Sequence, residues 1–328
     1  MKKLLLSNQK DMWYFCSDTK EFVFNLLIGI NPIKDVSCFD IVIDKEGNPH
    51  LLLAVNGCLK YYYWNGTYWI EGNTPKIFHL SKCSMVITDK NKIHFLSSSE
   101  GSEEHFISHF SLNNDGWKDN KINVLPKQVV VEALLCLREG ELVAVYSRQN
   151  HTEHILGLLY YSQGKWEVMQ EITSLDGKFL NWCTDYQALY ILLGKKSFKG
   201  GIFTVLAIPY QKLDVKPQQI QENVVGWDGC PGILIDGCKL IRLYWQYKGK
   251  IYLTELNREK YCFINQVESD IFYPANMLIP IGQKLLTKEI AFTTIYGVKL
   301  DFPLVISLES FDIMVKEKAK VILRPSRS

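Results

Sequence analysis

Turn chemistry recurs along this chain at a nearly constant interval, and little besides a repeated β-sheet satisfies it. From Val36 to Asn73 the sequence reads VSCFDIVIDKEGNPHLLLAVNGCLKYYYWNGTYWIEGN. Phe39–Ile43, His50–Val55 and Leu59–Trp64 are rich in aliphatic, β-branched and aromatic residues, and a fourth run starts at Tyr68. Such side chains pack well on a pleated surface. Between the runs lie Asp44-Lys45-Glu46-Gly47-Asn48, Asn56-Gly57 and Asn65-Gly66. Asn-Gly between apolar runs predicts a tight hairpin, because both central residues of a type I′ turn need positive φ. The stretch therefore predicts four antiparallel strands in succession.

The same plan returns at 80–117, 129–166, 178–213, 224–262 and 274–310. First-turn residues Asp44, Asp89, Arg138, Asp185 and Asp236 are spaced by 45, 49, 47 and 51 residues. Trp69, Trp117 and Trp166 fall in the fourth-strand region of three successive units, 48 and 49 residues apart. Cys38 and Cys83 each lie six residues before the turn aspartate, as does Cys230. An interval of about 40–50 residues with four strands per unit is the signature of a β-propeller blade. Residues 1–35 hold the runs Leu4–Leu6, Met12–Cys16 and Glu21–Ile28, too few for a blade. They predict a seventh blade completed by C-terminal strands such as Phe311–Val315 and Val321–Leu323, which removes exposed sheet edges. The expectation is thus an all-β chain: a single seven-bladed β-propeller of four-stranded antiparallel blades, closed by N- and C-terminal strands, over residues 1–328 as one domain. Six blades with extra terminal strands is the alternative.

Net charge of +2 gives no bulk attraction for nucleic acid or a membrane surface. The opening MKKLLL is broken by Ser7-Asn8-Gln9-Lys10-Asp11, too early for a signal peptide, and no apolar run has membrane-spanning length. A cytoplasmic protein is expected. The nine cysteines are scattered and form no CxxC pair, so they read as free thiols without a disulfide framework or zinc site. No metal or cofactor is expected.

No catalytic set emerges. Asp44, Gly47 and His50 look like a motif but serve the turn and the start of the second strand. Cys38, Cys83 and Cys230 would line a central channel, where small residues are needed and where thiols also suit soft metals. The tryptophan column reads as packing between blades. Asp40, Glu132 and Asp228 are the carboxylates near first strands that a glycoside hydrolase would need. Two classes of loop should share one face. Loops entering first strands carry Lys82, Trp182, Trp227 and Asp228, and loops between second and third strands carry Arg148 and Trp245. Aromatics among polar groups suit sugar or peptide, since a flat ring stacks on apolar surface while polar neighbours fix orientation. These six are the expected ligand-binding residues.

The unit DKEGNPHLLL…GCLKYYYWNGTYW resembles bacterial propeller repeats of the general sialidase-like or lectin-like type, clearly over 36–73 and in part over 80–166. The sialidase Asp-box and the Gly-His and Trp-Asp signatures of WD40 repeats are absent. The resemblance implies a fold and no particular activity. The expected function is a non-enzymatic module that presents a protein or carbohydrate partner on the loop-rich face, glycan being one ligand class. A divergent glycoside hydrolase or lyase, and a structural assembly protein without small ligand, are the alternatives.

Overall fold

The computed structural model describes residues 33–269, apart from short turn and loop positions, and the strands within 2–6, 12–16, 21–23, 278–279, 291–292, 294–299 and 302–307. It is all-β, with a 3-10 turn at Tyr210–Lys212. Among the described residues no helix is long and apolar enough to cross a membrane.

Three N-terminal strands, β1 (Lys2–Leu6), β2 (Met12–Cys16) and β3 (Glu21–Val23), are followed by five consecutive antiparallel sheets of four. The first sheet is β4 (Val36–Ile43), β5 (Pro49–Val55), β6 (Cys58–Trp64) and β7 (Trp69–Gly72). The second is β8 (Leu80–Ile87), β9 (Ile93–Glu100), β10 (His105–Asn113) and β11 (Gly116–Asn120). The third is β12 (Val129–Cys136), β13 (Leu142–Asn150), β14 (Glu153–Ser162) and β15 (Lys165–Ile172). The fourth is β16 (Lys178–Thr184), β17 (Ala188–Ser197), β18 (Gly200–Pro209) and β19 (Gln218–Val224). The fifth is β20 (Asp228–Asp236), β21 (Ile241–Tyr247), β22 (Lys250–Asn257) and β23 (Cys262–Ser269). Every sheet pairs its strands in chain order. Asn56 and Gly57 have φ of 50° and 72°, the positive values their hairpin turn demands.

The sheets pack face against face in sequence, with first strands side by side: β4 lies next to β8, β8 next to β12, and β16 next to β20. Leu52, Ala54 and Tyr61 of the first sheet join Met85, Phe95 and Phe110 of the second. Val143, Val145 and Leu158 of the third meet Leu189, Ile191 and Leu206 of the fourth. Leu192, Phe203 and Val205 of the fourth meet Ile233, Leu243 and Trp245 of the fifth. Burying both faces of each sheet explains the near-continuous apolar runs of second strands such as His50–Val55. The tryptophan column closes these interfaces. Trp117 packs edge-on against Tyr61 and Phe95, and its indole N–H donates to the Asn73 carbonyl at 2.7 Å. Trp166 donates to His109 Nδ1 of the second sheet at 3.1 Å.

Two expectations are corrected. The fourth unit does not end near Leu213: Tyr210–Lys212 forms a 3-10 turn, and the outer strand is Gln218–Val224. Its polar QQIQENV sequence carries too little apolar signal to mark a strand. The last unit, 274–310, is not a sheet of four among the described residues. Its segments β24 (Leu278–Ile279) and β25 (Ala291–Phe292) instead add in parallel to β1 and β20, while β26 (Thr294–Lys299) and β27 (Phe302–Ser307) form a hairpin. Each added segment covers an edge that would otherwise expose unpaired backbone groups. The expected closing strands 311–315 and 321–323 lie outside the described residues, as do Asp89 and Arg138.

Candidate functional site

Near its start, each of the five first strands carries a register shift against its partner. The shifts fall between Val36 and Cys38, Leu80 and Lys82, Val131 and Ala133, Phe179 and Asn181, and Asp228 and Gly232. A bulge twists its strand and re-aims the side chain beside it. The repeated bulges act at one end of the sheets, and the polar groups of interest gather there.

Lys82 follows the bulge of β8. Its ammonium donates to Glu132 Oε2 on β12, and Glu132 Oε1 accepts from the Ser147 hydroxyl of β13 at 2.5 Å. Glu132 is 9% exposed, so this carboxylate is held by a cation and a hydroxyl where water reaches it little, while Lys82 remains 45% exposed. Next to Ser147, Arg148 grips Glu171 of β15 through Nε at 3.0 Å and Nη2 at 2.7 Å. Tyr146 donates its hydroxyl to the same carboxylate at 2.7 Å. The bond from Arg148 holds the Glu171 carboxyl below its usual range. Burial, and then Glu171, push the Tyr146 phenol up, so Tyr146 is a donor here and not a base. Deeper along the first strands, Asp40 Oδ2 accepts from the Met85 N–H at 2.7 Å and the Ser84 hydroxyl at 3.2 Å, and Ser84 Oγ accepts from the Leu134 N–H at 3.0 Å. Three adjacent first strands are thereby fixed in height relative to one another.

The six expected ligand residues divide. Lys82 and Arg148 lie at the same end of the sheets but in separate networks, Lys82 paired with Glu132 and Arg148 with Glu171. Trp182 lies half-buried on β16, against the cluster that includes Ala133 and Val145, the neighbours of Glu132 and Tyr146. Asp228 is exposed at the start of β20 and accepts the Lys248 N–H at 2.8 Å. Trp227 and Trp245 are 6% and 1% exposed and are not on a loop surface. Both pack on Phe203, at centroid distances of 4.7 and 5.6 Å. Trp227 lies flat on Gly201, where an added Cβ would meet its ring at 2.0 Å, so a small residue is required beneath it. Trp245 is central in β21 and stacks on Tyr252 at 5.3 Å. Trp245 lies inside β21 because that strand runs on to Tyr247, whereas Trp227 does precede β20 in the connecting segment but is buried there.

Sequence reasoning missed Ser147, Glu171 and Tyr146, whose roles come from pairing across strands. It also missed Phe198, which is fully exposed at the tip of the β17–β18 hairpin beside exposed Lys196. The run Lys195-Lys196-Ser197-Phe198-Lys199 was the available signal. Because Lys178 pairs with Gly194, this tip extends past the start of β16, at the same end as the bulges. Lys196 sits 5.2 Å from the Trp227 ring. Of the three candidate carboxylates, Asp40, Glu132 and Asp228 are each engaged by protein donors. Among the described residues no three His, Cys, Asp or Glu side chains are grouped to hold a metal ion.

No known protein family matches the chain, and no curated protein matches it by sequence. Solved structures do match in fold. The chain is similar to polysaccharide lyase Uly1 (TM-score 0.54, 11% identity, 90% of this chain and 84% of that one). It is similar to a PL25 ulvan lyase bound to -[GlcA(1-4)Rha3S]- (TM-score 0.53, 10% identity, 93% and 91%). An α-L-arabinanase of Penicillium chrysogenum, complexed with arabinobiose, also matches (TM-score 0.50, 11% identity, 67% and 77%). With the five stacked four-stranded sheets, these likenesses make the architecture propeller-type.

Proposed function

We propose that this protein is a carbohydrate-binding propeller that engages acidic glycans at the end of the sheets where the first strands bulge. The observation that carries the proposal is that this end of the sheets carries the partly exposed cations Lys82 and Arg148, the half-buried ring of Trp182 and the exposed Phe198. Structures of the same architecture that act on polysaccharide support it. An ammonium has three donors and a guanidinium five, so each keeps donors for a uronate or sulfate beyond its bond to Glu132 or Glu171. Aromatic faces supply stacking surface for sugar rings. We read the end as a binding surface in which Asp40 and Glu132 serve the scaffold through protein donors, whereas glycoside hydrolysis needs two available carboxyl groups across the bond.

We place five complete blades in this propeller, with the N-terminal sheet and the β26–β27 hairpin as parts of a sixth and seventh. Incubation with a panel of acidic and neutral polysaccharides tests the function, with binding read by calorimetry and cleavage by reducing ends and by ultraviolet absorbance of unsaturated uronate. Saturable binding of acidic chains without cleavage is expected. Steady release of unsaturated product would make the protein a lyase, and silence in every channel would remove carbohydrate from the account.

A further inference from the structure

Cys38 and Cys83 occupy equivalent positions on β4 and β8, the first strands of adjacent sheets. Their sulfur atoms are 3.5 Å apart, and both residues are partly exposed. Just below them the two strands are pinned: Asp40 of β4 accepts from the backbone and side chain of β8 at Met85 and Ser84. Just above, Lys82 reaches β12. The strands therefore hold the two thiols at one height, next to the proposed binding end. A disulfide needs its sulfurs about 2.05 Å apart and Cβ atoms about 3.5–4.5 Å apart, a contraction that side-chain rotation supplies when the backbones are already adjacent.

We propose that Cys38 and Cys83 are a redox-active dithiol that closes to a disulfide between the first two sheets. With a small-molecule disulfide as oxidant, one thiolate attacks a sulfur of that oxidant and expels one thiolate, leaving a mixed disulfide. The second cysteine thiolate then attacks the protein sulfur and expels the other half. The protein loses two protons and two electrons, and the oxidant becomes two thiols. The product covalently joins strands that otherwise meet only through hydrogen bonds and packing, across a loop of chain that holds β5, β6 and β7. Such a link stabilises chiefly by restricting the unfolded chain.

The test uses the full chain, treated with oxidised glutathione, blocked with an alkylating agent and digested with trypsin. Cleavage after Lys34, Lys45, Lys82 and Lys90 places Cys38 in peptide 35–45 and Cys83 in peptide 83–90. The expected result is one linked peptide pair, two hydrogens lighter than the separate peptides, that disappears on reduction. A rise of several degrees in Tm on oxidation should accompany it, reversed by dithiothreitol and absent in Cys38→Ser and in Cys83→Ser. Peptides that stay separate, whether alkylated or individually glutathionylated, would overturn the proposal, as would a link from either cysteine to a different partner.

Discussion

Two histidines, one half-buried and one buried, show how far one residue column can diverge. His50 and His94 hold equivalent places in successive sheets. His50 bonds the Tyr61 hydroxyl at 2.6 Å and lies 3.4 Å from Asp44 of its own turn. His94 instead meets His109, with Nδ1 2.9 Å from His109 Nε2. Because the Trp166 indole donates to His109 Nδ1, His109 carries its proton on Nε2 and donates it to His94. Both rings are held neutral: burial, and secondarily the Lys92 charge, lower His94 to about 4, and burial with His94 and Lys92 lowers His109 to about 3. Their folded pKa values lie below the unfolded value of 6.5, so the unfolded chain binds more protons as pH falls. Stability is complete above pH 6.5 and is lost progressively from there toward pH 3–4. Urea titrations at successive pH values should show this decline, and His109→Gln should flatten it. Equal slopes for the two proteins would contradict the assignment. Trp117→Phe keeps most of the ring but deletes the bond to Asn73, and denaturant unfolding should report a loss of about 1 kcal/mol.

Strands and turns were legible where local chemistry specifies them. Asn56-Gly57 marks its hairpin, and the tryptophan column marks blade contacts, because each depends on residues close in sequence or repeated at the period. The bulges were not legible. A one-residue shift at Ser37, Ser81 or Glu132 leaves composition unchanged and becomes visible only against the partner strand. Nor did any local pattern link Lys82 to Glu132, or Arg148 to Glu171. Outer strand Gln218–Val224 was hidden by its polar sequence and by the 3-10 turn before it. At this scale the Arg148–Glu171 clamp gives a direct prediction. Glu171→Gln weakens the grip on Arg148 from charge-assisted to neutral bonds, and the unfolding free energy should fall by about 1 kcal/mol for this partly exposed pair. The freed guanidinium should bind an acidic oligosaccharide no more weakly than before. Calorimetry on the variant checks both, and a loss of binding would mean that the carboxylate itself contacts ligand.

Across the whole molecule, the repeated sheet is a scaffold, and its distinctive chemistry lies where the repeats differ. Asp185, a first-turn aspartate at the end remote from the bulges, illustrates the scaffold. Its Oδ1 accepts the Gln187 and Ala188 N–H groups at 2.7 and 2.8 Å, while Oδ2 pairs at 2.7 Å with Arg258 of the next sheet. Asp185 is 2% exposed, so removing its partner leaves a buried carboxylate uncompensated. Arg258→Ala should therefore destabilise the fold measurably while leaving glycan binding at the other end intact. At that other end, Lys82, Arg148, Trp182 and Phe198 have no counterparts repeated through the sheets. Calorimetric titration of the wild-type protein, Trp182→Ala and Arg258→Ala with one acidic oligosaccharide tests the account most directly. Saturable binding is predicted for the wild type and Arg258→Ala, with affinity reduced at least about tenfold, or 1.4 kcal/mol, in Trp182→Ala. Equal affinity in all three folded proteins, or none in the wild type, would contradict it.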